Sequence, residues 1–122
     1  MLQIDGRVFA RGDDGYEEAR RATVWNGRLP DRFPDVVVQA TSAADVQVAV
    51  RHATAEGLQV GVRSGGHSWA ANHVRDGGLL LDVSRLDDVQ LDVDGYSAVV
   101  GPGTGGHALC LQLGEVDRFF PS

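Results

Sequence analysis

An apolar run that ends directly in a glycine pair constrains this chain more than any other stretch. Leu58 to Val62 reads as a buried strand after a helix, and it feeds without a spacer into Arg63-Ser64-Gly65-Gly66-His67-Ser68. Consecutive glycines admit positive φ and remove the Cβ atoms that would keep a ligand off the backbone. Successive N–H groups in such a turn form a concavity suited to an anion such as a pyrophosphate. Arg63 adds a positive charge, and His67 sets a ring nitrogen at the exit of the turn. These residue types in this order point to a phosphate-bearing cofactor with reactive chemistry beside it.

The flanking pattern supplies a scaffold. Residues 1–12 read as a loose lead-in. Asp13 or Asp14 can cap a helix running to about Trp25, with Glu17 and Glu18 early and Arg20 and Arg21 late, as the helix dipole favours. Asn26-Gly27 stops it, and Pro30 and Pro34 bracket a connector into the β-branched run Val36-Val37-Val38, a strand. Thr41 or Ser42 caps a second helix, with Asp45 in the acidic position of a capping-box variant. Val46, Ala49, Val50 and Ala53 recur at helical spacing, and Gly57 ends the helix. The strand from about Gln59 to Val62 then returns parallel to the first. That is a β-α-β unit, expected to be right-handed, with the glycine loop at its carboxyl end, where open α/β sheets bind ligands.

Further on, Leu79 to Val83 reads as another buried strand. Val89 to Val93 and Ser97 to Val100 flank Asp94-Gly95, a two-residue hairpin signal. A last helix is expected from Gly105 to Glu115, and the chain then runs out through Phe119-Phe120-Pro121-Ser122, fresh apolar surface that looks interrupted.

Arg-Ser-Gly-Gly-His-Ser resembles the flavin loop of the vanillyl-alcohol-oxidase superfamily, PCMH-type FAD-binding proteins, in the berberine-bridge-enzyme-like branch of FAD-linked oxidases. Further matches keep the family order: Gly12-Asp13-Asp14-Gly15-Tyr16 to Trp25-Asn26-Gly27, Ala43-Ala44-Asp45-Val46, Gly77-Gly78-Leu79 to Leu81-Asp82-Val83-Ser84, and Val99-Val100-Gly101-Pro102-Gly103. Each motif is weak alone; the ordered set, from about residue 12 onward, is specific.

The resemblance implies an α+β fold. Residues 13–122 would form the amino-terminal part of a PCMH-type domain, incomplete: the β-α-β unit, the hairpin and the start of a second subdomain. A separate substrate domain would be absent. FAD is the implied cofactor, contacted by Arg63, Ser64, Gly65, Gly66, His67, Ser68, Gly101 and Gly103, with His67 bonded covalently to the flavin 8α-methyl carbon. A second attachment cysteine, common in such proteins, would fall beyond Ser122. The implied activity is oxidation of a substrate C–H bond, in an alcohol, sugar, amine or alkaloid, by hydride transfer to FAD with dioxygen as acceptor. No general base is visible, so an isolated piece would be poorly active. A non-catalytic flavin- or nucleotide-binding module and an inactive remnant are the competing readings.

Other functions find less support. A net charge of −6 with no basic run argues against nucleic acid. No segment approaches the roughly 20 apolar residues of a membrane span, and the start lacks the regions of a secretion signal, so a cytoplasmic protein with a small-molecule substrate is expected. Cys110 is the only cysteine and reads as a buried structural thiol. Gly101, Gly103 and Gly106 spell the dinucleotide pattern G-x-G-x-x-G, but the preceding strand belongs to a hairpin and no ribose-binding acid can follow at the right distance. His67, His73 and His107 have no metal-ligand spacing, and Asp92 with Asp94 lacks the rest of a calcium loop. His52 reads as a surface residue, and Tyr16 and Trp25 as packing anchors. Trp69 would pack either near a cofactor or in the core.

Overall fold

A computed structural model describes residues 2–121. Parallel strands buried on both faces need apolar side chains pointing both ways. Leu79-Leu80-Leu81 meets that demand, and it forms the central strand of a four-stranded sheet. In chain order the strands are β1 (Arg7–Ala10), β2 (Val36–Gln39), β3 (Val60–Arg63) and β4 (Leu79–Asp82), and their order in the sheet is β1-β2-β4-β3. β2 and β3 are each parallel to β4, and β1 is antiparallel to β2. The expected β-α-β unit is present, with β4 inserted between its two strands.

Two helices cover the sheet. α1 (Tyr16–Ala22) lies on one face, where Tyr16, Ala19, Val37, Leu80 and Val74 pack together. α2 (Ala43–Ala55) lies on the other, where Ala49 and Ala53 meet Val38, Leu79 and Leu81. Ser42 caps α2 by accepting the Asp45 N–H at 3.1 Å, and Gly57 leaves it at φ 65°. The Tyr16 hydroxyl donates to the Pro34 carbonyl at 2.6 Å, so that ring is an anchor as expected.

Beyond the sheet, β5 (Val89–Asp92) and β6 (Ser97–Val100) form an antiparallel pair, followed by α3 (Gly106–Gly114). An apolar cavity of about 240 Å³ lies between this hairpin and α3, lined by Leu91, Val93, Tyr96, Leu109, Leu113 and Phe120 among others.

Several expectations are corrected. The lead-in holds β1, a strand that exists because β2 offers it an edge. α1 starts later and ends earlier than expected: Gly15, at φ 84°, occupies its N-cap, while the Asp13 carboxylate accepts the Ala10 N–H instead. Asp45 does not close a reciprocal capping box. Its carboxylate accepts from Thr41 N, Thr41 Oγ1, Asp5 N and Gly6 N, tying the first residues to α2. The hairpin pairs Asp92 with Ser97, so its loop is Val93-Asp94-Gly95-Tyr96. Asp92 Oδ1 accepts the Gly95 N–H, and the positive φ falls on Tyr96. Val50 is exposed, and Cys110 lies on the exposed side of α3, which meets other elements mainly through Leu113.

Candidate functional site

Parallel pairing brings the carboxyl ends of β2, β4 and β3 together, with Gln39, Asp82 and Arg63 level in the register. The glycine loop leaves from this edge. Arg63 Nη1 lies 3.0 Å from Asp82 Oδ1, and both side chains are largely buried. The charge expected to face an anion is thus already paired. Asp82 Oδ1 also accepts the Ser84 N–H at 3.0 Å, so one carboxylate steadies the exits of both β3 and β4.

Gly66 has φ 70°, and a Cβ there would stand 2.1 Å from the Thr23 carbonyl oxygen and 3.2 Å from Arg63 Nε. The loop therefore rests directly on the end of α1. That support is held from behind: His73 Nε2 lies 2.9 Å from the same Thr23 oxygen, and the Trp25 N–H reaches the Gly66 carbonyl at 3.4 Å. His73 is buried, and burial pushes its pKa below the ordinary histidine value against the pull of the Thr23 hydrogen bond. At neutral pH it is an uncharged prop.

The amide N–H groups of Ser64, Gly65, Gly66, His67 and Ser68 find no acceptor among the described residues; Gly66 is buried, and the other four residues are exposed or half-buried. A run of unspent amides in a loop with a positive-φ glycine has the character of an anion-binding nest. The His67 side chain is exposed and folds back over Gly65, where an added Cβ would come within 2.8 Å of the ring. Trp25 stands edge-on to both His67, at 6.4 Å, and Trp69, at 5.0 Å between ring centroids. Trp69 is 80% exposed and Trp25 49%, so neither is a core anchor; together they form an aromatic rim beside the loop.

The second glycine turn faces the first. Ser64 Oγ donates to the Pro102 carbonyl, which brings Gly101 and Gly103 alongside the loop. Their amides are spent, on Asp88 O at 2.7 Å and Leu86 O at 2.8 Å. An added Cβ would strike Leu86 O at Gly101 and Ser84 O at Gly103, so both glycines are needed for close packing. The G-x-G-x-x-G pattern here does follow an antiparallel strand, unlike a dinucleotide fold.

All eight expected cofactor contacts thus lie at one edge, with unspent amides only in Ser64 to Ser68. Asp82, Thr23, His73 and Trp25 support the site without having been singled out for it. A carboxylate ending a buried strand and a histidine soon after a glycine loop were the available signals. His107 and Cys110 are exposed on α3, and no group of three or more His, Cys, Asp or Glu among the described residues could hold a metal ion. No helix among them is long and apolar enough to cross a membrane.

The mixed α+β sheet carries, at its strand ends, a loop of unspent amides beside an exposed imidazole, an arrangement with the character of an anion-binding nest. The chain belongs to the FAD binding domain family, whose pattern it matches over residues 34–122. It is 36% identical over 102 residues to (R)-6-hydroxynicotine oxidase of Paenarthrobacter nicotinovorans, covering 84% of this chain and 22% of that relative. The crystal structure of 6-hydroxy-D-nicotine oxidase from Arthrobacter nicotinovorans superimposes with a TM-score of 0.84 at 31% identity, over 95% of this chain and 25% of that one. BBE-like 1 of Physcomitrella patens gives 0.79 at 31% identity, over 91% and 24%. The chain therefore spans about a quarter or less of the length of these relatives.

Proposed function

We propose that this chain supplies the FAD-holding part of a flavin-dependent oxidase, with the cofactor tethered through His67. The run of unspent amides from Ser64 to Ser68, ending at an exposed imidazole, carries the reading. Those N–H groups would hold the pyrophosphate, and Gly101 and Gly103 would form the facing wall. A His67 ring nitrogen would bond the flavin 8α carbon. Arg63, locked to Asp82, would shape the loop and add only a screened charge. FAD, when bound in such an oxidase, takes a hydride from a substrate C–H bond and passes the electrons to dioxygen. For the whole protein the substrate would be a small alcohol, sugar or amine, with neither nucleic acid nor a membrane as partner.

Intact mass and absorption of protein produced with ample FAD test this. The expected result is a mass increase of one FAD and yellow colour that survives denaturation in the native chain and is lost in His67→Ala. Flavin that washes out on denaturation would remove the tether, and a protein that takes up no flavin in any form would overturn the cofactor assignment.

A further inference from the structure

Two structural units meet at the proposed cofactor site without sharing a strand: the β1–β4 sheet with its helices, and the β5–β6 hairpin with α3. Between residues 2–83 and 93–121, the one hydrogen bond among the described residues runs from Ser64 Oγ to the Pro102 carbonyl. That carbonyl has no other donor among them.

We propose that Ser64 is a positioning residue whose hydroxyl clasps the second glycine turn against the first and sets the gap a cofactor enters. The inference rests on the cofactor reading for its purpose, but the clasp stands on geometry alone. A closed circuit runs through the site: the Arg63 guanidinium pairs with Asp82, Asp82 holds the Ser84 N–H, and the Ser84 carbonyl packs on Gly103. The next residue back, Pro102, returns the circuit to Ser64, which adjoins Arg63. Most of this circuit is stiff, because Arg63 and Asp82 sit level on paired strands and Gly101 and Gly103 are pinned to Leu86 and Asp88. The remaining side is a single exposed hydroxyl. Removing it opens no core cavity and breaks no strand pairing, so its loss is read at the turn.

Hydrogen–deuterium exchange on the cofactor-free chain, paired with FAD titration, tests this in the native protein, Ser64→Ala and Ser64→Thr. In S64A, amides in residues 101–106 should exchange about fivefold faster, the factor one neutral hydrogen bond is worth. Exchange in β2 and β4 should not change. FAD affinity should fall by a similar factor, and S64T should restore both. Unchanged exchange in S64A overturns the clasp, even where FAD binding weakens, because the hydroxyl would then be touching the cofactor itself. Faster exchange throughout the sheet, or none of it rescued by S64T, makes the residue merely structural and also overturns the proposal. The turn-specific change in a chain that binds no FAD would sustain the clasp and sink the cofactor reading.

Discussion

At Gly66 the backbone stands at φ 70°, and the obstacle to a side chain is a carbonyl, not a movable group. Gly66→Ala must bear the left-handed conformation, about 1 kcal/mol, and also push the loop off Thr23. We expect a loss of at least about 2 kcal/mol in urea denaturation, together with loss of bound flavin. Gly27→Ala is the control, since nothing lies within 4 Å of its Cβ position and its φ is not positive; it should stay within about 0.5 kcal/mol of the parent. Equal behaviour of the two variants would refute the support role of Thr23. His73, behind the same carbonyl, has its pKa pushed down by burial. The unfolded chain therefore takes up this proton first as pH falls. Stability contributed by neutral His73 is complete above the ordinary value of about 6.5 and declines below it, through the depressed folded pKa. Urea midpoints measured at about pH 7.5 and pH 5 should show that fall, and His73→Gln should flatten it. A slope identical in both proteins would assign the effect elsewhere.

Elements that carry their own pattern were legible in the sequence. Val36-Val37-Val38 and Leu79-Leu80-Leu81 announced strands because β-branched and apolar side chains fill both faces of a parallel sheet. Ala49 and Ala53 marked the seam of α2 by helical spacing. The glycine loop was legible too, because its composition has few uses besides a close backbone approach. What stayed hidden depends on partners far along the chain. β1 has no strong period and forms because β2 pairs with it; β4 enters between β2 and β3 by tertiary choice. The Ser64–Pro102 contact was invisible, since its acceptor is a backbone carbonyl 38 positions away. Asp45 shows the same limit: as a helix-start acid it was readable, as the anchor of Asp5 and Gly6 it was not. Burial alone would raise its pKa, but donors from Thr41, Asp5 and Gly6 outweigh that and hold it low. Asp45→Ala would remove the shared acceptor of those part-buried N–H groups, and we expect about 2 kcal/mol of destabilisation with fast amide exchange at Asp5 and Gly6. Slow exchange there in D45A would show that β1 pairing alone secures the lead-in.

For the molecule as a whole, apolar exposure is uneven. Among the described residues of the sheet unit, Val50 and Val62 are the only large aliphatic side chains exposed, whereas Val99, Leu111, Phe119 and Phe120 are all exposed in the hairpin-and-α3 unit, Phe119 by 85%. Monomeric proteins seldom leave such a group of large apolar side chains in water, and each buried one is worth about 1.5–3 kcal/mol. Covering this surface is therefore strongly favourable, and in a solution of this chain alone the available cover is another copy. Sedimentation velocity should show concentration-dependent association of the 122-residue chain, strengthened by salts that favour apolar burial. Phe119→Ser with Phe120→Ser should weaken it at least tenfold, without lowering the stability of the sheet unit, because neither ring belongs to either core cluster. Association that persists in the double variant would point instead to the open edges of β3 or β6, where unpaired backbone groups can recruit a strand. A monodisperse monomer at high concentration would mean that the hairpin and α3 close over their own cavity in solution.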